Sequence, residues 1–170
     1  MASPMFFKDA GPAAVYWNGI FVGVTQGGFK VKAEDKYIEI REDGQGNAVI
    51  DAVFSGRDVN EIEIPLTRAT LVQLQAVIPH SGISGSTVLE VWNPVGYAMY
   101  ALSKELEFRP MVNNVASTVT TEFVSFPKAY PILAAEFGYD TANQRVIKIK
   151  FKVFVKQESP NFGDLIIFGA

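Results

Sequence analysis

The sequence predicts a mainly β protein: two antiparallel sheets, a sandwich or open barrel, flanked by a single α-helix. Three observations carry this expectation. Most of the chain divides into short apolar or alternating runs separated by clusters of Gly, Pro, Asn and Asp. The clearest alternation runs from Arg145 to Lys156, with Ile147, Ile149, Phe151, Val153 and Val155 on one face. Lys148, Lys150, Lys152 and Lys156 occupy the other, interrupted by Phe154. Only Pro65 to Pro79 has helical spacing, since Leu71, Leu74 and Ile78, with Val77 beside them, share one face. Thr67 is the expected N-cap and Pro79 the stop, because the residue before a proline avoids the α region. One helix among strands must lay its apolar stripe on a sheet.

The elements follow in order. Met1 to Pro12 has no clear period, and its Met5-Phe6-Phe7 suggests a terminus tied to another surface. Val15 to Val24 alternates weakly, and Gly27-Gly28 is a turn. Phe29 to Ala33 is a short strand. Lys36 to Glu42 is a clearer one, with Ile38 and Ile40 opposite Tyr37, Glu39 and Arg41. Asp43 to Asn47 is a hairpin loop, because Asp-Gly and Gly-Asn supply positive φ angles. Ala48 to Ser55 returns and Gly56 closes it. In Val59 to Ile64, Ile62 and Ile64 point inward and Glu61 and Glu63 outward. After the helix, Ser81 to Thr87 reads as a loop, Val88 to Trp92 as a strand and Asn93-Pro94 as a turn. Gly96 to Arg109 is strand-like, Pro110 to Asn114 a loop, and Thr118 to Phe126 a strand, with Pro127 and Pro131 marking a break or edge. Ile132 to Tyr139 and Arg145 to Lys156 form the last hairpin around Asp140 to Gln144, the second strand reaching about 40 Å. The tail, Gln157 to Ala170, ends in Leu165-Ile166-Ile167-Phe168 and either folds back as a last strand or joins a neighbour's sheet edge. The reading gives one domain, residues 1–170, with arms at 1–14 and 157–170.

Composition narrows the function classes. Charged residues make up 19% and apolar residues 48% of the 170-residue chain, which suits either a well-filled core or a surface covered by copies of itself. A net charge of −3 argues against tight wrapping of nucleic acid. There are no cysteines, so no disulfide or thiolate site exists, which fits a reducing cytosol. The start lacks a signal-peptide pattern, and the uncharged runs Ala10–Phe29 and Ala69–Leu89 are broken by Gly and Pro, so a soluble protein without a membrane partner is expected.

The search for chemistry predicts no enzyme, cofactor or metal. His80 is the only histidine and reads as a solvated loop residue. Ser81 and Ser84 lie near it, but no nucleophile elbow surrounds them. Gly23 to Lys30 misses the phosphate-loop pattern because Phe29 separates the glycines from the lysine. The carboxylate pairs Glu34-Asp35, Glu42-Asp43, Glu61/Glu63 and Glu105/Glu107 read as solvated strand faces. The lysines of the last strand are expected to pair with carboxylates of a neighbouring strand or subunit.

A resemblance adds to this. Asn18-Gly19-Ile20-Phe21-Val22-Gly23-Val24-Thr25-Gln26-Gly27-Gly28 resembles a segment near the start of the tail tube proteins of long-tailed bacteriophages, the major tail protein family. Ile38-Glu39-Ile40, Asp43-Gly44, Asn47 to Asp51, Ser55-Gly56, Val59 to Leu66 and Ile78-Pro79 follow in the matching order. Arg68 departs from the pattern, standing at the helix opening where an acid is expected. About 65 residues, from Val15 to Pro79, carry the likeness.

The resemblance implies two antiparallel sheets flanked by a helix, and hexameric rings stacked into a hollow tube through which double-stranded DNA leaves the capsid without specific binding. It implies a structural virion protein of the tail, assembled in the bacterial cytoplasm. Its partners would be other copies of itself, a terminator, a baseplate and, in contractile tails, a sheath. Glu39, Glu61 and Glu63 are the expected lumen-facing residues, since an acidic wall lets phosphates slide. Phe6, Phe7, Asp43, Asn47, Leu165, Ile167 and Phe168 are the expected inter-subunit contacts. Three alternatives stay open: another tail component of the same fold (terminator, distal-tail ring or injection-system tube), a β-barrel module for an apolar ligand, and an enzyme.

Overall fold

The computed structural model describes residues 11–25, 28–67, 70–85, 87–132, 146–160 and 162–169. Strand is the dominant element, and six strands close into an antiparallel barrel. β1 (Ala13–Trp17) and β2 (Ile20–Thr25) form a hairpin whose two-residue turn is Asn18-Gly19. Both turn residues have positive φ, 52° and 74°, the geometry that matches the right-handed twist of a tight hairpin. β3 (Lys30–Glu42) and β4 (Ala48–Thr67) form a second, much longer hairpin. The flap that follows holds α1 (Leu71–Val77) and the hairpin of β5 (Ser81–Ser84) and β6 (Val88–Val91). Then come α2 (Met99–Leu102), β7 (Lys104–Val112), β8 (Val115–Ala116), β9 (Val124–Ile132), β10 (Val146–Val153) and β11 (Ile167–Phe168).

The barrel runs β9-β10-β4-β2-β1-β7 and closes by pairing of β7 with β9. Closure removes the sheet edges of these six strands. Side chains fill the interior: Val15, Ile62, Leu106, Phe108, Phe126 and Phe151 are almost wholly buried. Phe108 stacks on Phe29 at 3.8 Å and meets Phe126 edge-on at 6.0 Å. The indole of Trp17 donates to the Ala129 carbonyl at 3.2 Å, linking β1 to β9.

The inward placement of Ile62 and Ile64 and the hairpin loop at Asp43 to Asn47 follow the sequence expectation. Several boundaries do not. The runs expected at Phe29–Ala33 and Lys36–Glu42 merge into one strand that starts at Lys30, and Ala48–Ser55 and Val59–Ile64 into another, where Gly56 sits at a bulge instead of a strand end. The helix starts at Leu71, since Pro65 and Thr67 remain in β4. Its cap is Thr70, which accepts from the Gln73 N–H while the Gln73 side chain accepts from the Thr70 N–H. The helix is not single: Met99–Leu102 forms a second, short one inside the stretch expected as strand.

Ser81–Ser84 is a strand, and the indole of Trp92 lies so close over Gly82 that a Cβ there would meet it at 2.6 Å. The expected loop at Pro110 is the end of β7, and the expected strand from Thr118 begins only at Val124, after a 3₁₀ turn at Thr120–Glu122. Pro127 and Pro131 lie inside β9. The register slips by one residue between Phe126 and Ala129, so Pro127 sits at a bulge where no ladder donor is needed. β10 is eight residues long and shorter than expected. The expected loop at Asp140 to Gln144 lies outside the described residues. The tail folds back: β11 pairs with Val124 and Ser125, and Leu165 and Ile166 pack on the core.

Candidate assembly surface

β3 and β4 stay paired well beyond the barrel. From Ala33 to Glu42 on one strand and Ala48 to Val59 on the other, β4 has only β3 as a neighbour. Nine steps at about 3.3 Å carry this arm about 30 Å from the rim. Three register shifts each place one extra residue in β4, which twists the ribbon while β3 stays regular.

The arm is apolar on both faces. Tyr37 pairs across the ladder with Phe54, and the two are 61% and 59% exposed. On the opposite face Ile38 pairs with Val53, 64% and 53% exposed, and Ile40 lies beyond them. A two-stranded ribbon in water has no core of its own to hold these groups. Two ion pairs brace the ribbon across its strands: Arg57 holds Asp35 through Nη2 at 2.9 Å, and Lys36 pairs with Asp58; Arg41 pairs with Glu39 along β3 itself. The hydrogen bond from Arg57 holds the Asp35 carboxyl below its usual range, and that from Lys36 does the same for Asp58. Lys36 and Arg57 are raised by the same bonds.

At the base of the arm lies a mixed charged face on the outside of the barrel. Glu61 and Glu63 of β4 stand between β3 and β10. Lys150 reaches Glu61 at 3.0 Å and Lys148 reaches Glu63 at 3.4 Å, diagonal pairs across the strands, so the lysine ladder pairs with its neighbouring strand as expected. Lys30, Lys32 and Lys152 line the same open groove with Phe29 and Val31.

A second cleft of about 700 Å³ separates the arm from the tail, bordered by Phe54, Arg57, Val155, Leu165, Ile166 and Phe168. The carbonyl of Asp164 accepts from the Lys156 N–H at 2.9 Å and that of Lys156 from the Gly163 N–H at 2.8 Å, which ties the two ends of this tail segment together.

The sequence-named residues distribute as follows. Glu39 is in the arm, paired with Arg41. Asp43 and Asn47 are at its tip, where Arg41 donates to the Asn47 carbonyl at 3.2 Å. Glu61 and Glu63 are on the barrel wall. Leu165 packs on the core, Ile167 is half-buried and Phe168 is 68% exposed. Phe6 and Phe7 lie outside the described residues. Sequence reasoning missed Tyr37, Ile38, Val53 and Phe54 as a surface, because alternation specifies two faces but not whether either is covered.

His80 departs from the solvated-loop expectation. Its Nε2 lies 3.3 Å from the Tyr130 hydroxyl and its ring 4.3 Å from that of Tyr97, clasping the flap to β9. Burial and the Tyr97 contact push the Tyr130 phenol above its usual range. Ser81 Oγ donates to the Ile78 carbonyl at 2.7 Å, closing the α1 end instead of facing His80 as a nucleophile. Among the described residues no group of three or more His, Asp or Glu could hold a metal, and no helix is long and apolar enough to cross a membrane. No protein-family model matches the chain, and no curated protein matches it.

Proposed function

We propose that this protein is a self-assembling structural subunit of the phage tail-tube kind, forming rings that stack into a hollow conduit for DNA. The observation that carries this reading is the arm. Its two faces each expose large apolar side chains, and a ribbon apolar on both sides is satisfied only when lodged between other surfaces. In this reading the barrel wall divides into two packed antiparallel sheets, and the one that carries β3 continues from subunit to subunit around the channel through the outer edge of β3, which has no strand beside it among the described residues. The protein would act without catalysis or cofactor, in the virion tail, with terminator and baseplate components as its other partners. A ligand-binding module is less well supported, because large side chains occupy the barrel interior where a ligand would sit.

Negative-stain electron microscopy with light scattering on the purified protein tests the proposal. Rings or hollow tubes that grow with concentration are the expected result. A uniform monomer at every concentration, including in the presence of preformed tail ends, would overturn it.

A further inference from the structure

We propose that the lysine-rich face at the base of the arm docks the acidic tip of the arm of a second copy. The inference rests on the self-assembly reading and specifies the contact through which it proceeds. At the base of the arm, Lys30, Lys32, Lys148, Lys150 and Lys152 surround Glu61 and Glu63, with Glu34 on the same side of β3, an excess of two positive charges on a chain whose net charge is −3. At the arm tip, Glu42, Asp43 and Asp51 are exposed, and none of them forms an ion pair among the described residues. Three carboxylates without an ion pair at the tip thus have their counterpart in the lysine excess at the base.

The backbone gives the match a geometry. β3 is regular, so its even-numbered residues share one side: Lys30, Lys32, Glu34 and Lys36 from the base outward, Ile38 and Ile40 in the middle, Glu42 towards the tip. Val53 and Asp51, opposite Ile38 and Ile40, lie on that same side. This face of the ribbon thus ends in carboxylates after an apolar stretch. The receiving groove likewise combines lysines with apolar surface, in Phe29 and Val31. Lysine stems can lie along isoleucine and valine while their ammonium groups meet carboxylates.

Base and tip belong to the same extended ribbon, about 30 Å apart, so a copy cannot fold its tip onto its own base. The contact uses a different surface on each partner. Every copy can then give one tip and receive another, which closes a ring or propagates a filament. Duplex DNA is the competing occupant of a basic face. Two glutamates interleaved among the lysines place repulsive charge where phosphates would sit. The same glutamates hold Lys148 and Lys150 in place for a protein partner. The lysine excess also changes the expectation for Glu61 and Glu63: within the proposed tube this face belongs to subunit contact and not to the DNA channel.

The test is a charge exchange in the full chain. One variant carries Lys30→Glu, Lys32→Glu and Lys152→Glu; a second carries Glu42→Lys, Asp43→Lys and Asp51→Lys; a third carries all six. Assembly is followed by light scattering and microscopy at about 0.05 and 0.5 M salt, with circular dichroism as the folding control. Each triple variant should need at least about tenfold more protein to assemble than the wild type, and the six-fold variant should recover most of that loss. The wild type should also assemble less readily at the higher salt. If both triple variants assemble like the wild type, the docking assignment is wrong and the tube reading stands. If the six-fold variant folds but stays as defective as its parents, charge matching is not the basis of the contact. A wild type that never assembles defeats both. Salt-sensitive binding of duplex DNA, lost in the lysine variant and kept in the tip variant, would reassign the face to nucleic acid.

Discussion

The Tyr37/Phe54 pair is the sharpest place to probe the arm. Both rings are about 60% exposed in the isolated chain. An aromatic side chain offers about 200 Å² in all, so the two rings leave about 240 Å² to be covered. At about 25 cal/mol per Å² this has a ceiling of about 6 kcal/mol per contact. Ordering the side chains and joining two bodies consumes part of it, so we expect about 3 kcal/mol to survive. Tyr37→Ser with Phe54→Ser should therefore raise the concentration needed for assembly about a hundredfold, measured by light scattering along a dilution series. The same pair of changes should alter monomer stability by less than about 1 kcal/mol in urea denaturation, because neither ring belongs to the barrel core. Coincident assembly curves would show that the pair is not buried between copies. A monomer destabilised by several kcal/mol would show that the rings pack within their own chain, and the argument from exposure would fail.

Three further outcomes follow from the packing and charges. Phe126→Ala should cost about 3–5 kcal/mol in the same denaturation measurement, since the ring is fully buried against Phe108. Deleting residues 163–170 should lower stability by about 2–3 kcal/mol, because Leu165 and Ile166 pack on the core; unchanged stability would mark the tail as a detachable arm. Acid should loosen the arm before the barrel. Asp35 and Asp58 titrate below the ordinary 3.8, so their pairs with Arg57 and Lys36 are fully formed above that value and lost as pH falls through the lower values of the folded state. Arm amide resonances recorded between about pH 6 and about pH 2 should shift at the acid end while barrel resonances hold, and simultaneous change of both sets would contradict this.

What could be read from the sequence was the local content. The alternation of β10, the inward Ile62 and Ile64, the turn at Asp43-Gly44 and the stop at Pro79 depend on φ/ψ preference and side-chain period, which neighbouring residues specify. The Asn18-Gly19 hairpin carried a strong local signal that went unread, and so did Thr70 with Gln73 as a capping box. Other features depended on distant partners. Pro127 and Pro131 marked an edge on paper, but a bulge lets Pro127 remain in a central strand. The tail's Leu165 and Ile166 had two equal destinations until pairing with β9 selected one.

The candidate site shows the division most clearly. Tyr37, Ile38, Ile40, Val53 and Phe54 have the pattern of a buried strand, and sequence alone determined that pattern. Only the tertiary structure decided that β4 outruns its barrel neighbours, β10 and β2, and so leaves these side chains without a core. Burial is a property of what lies opposite a strand, and nothing in the strand's own period encodes it.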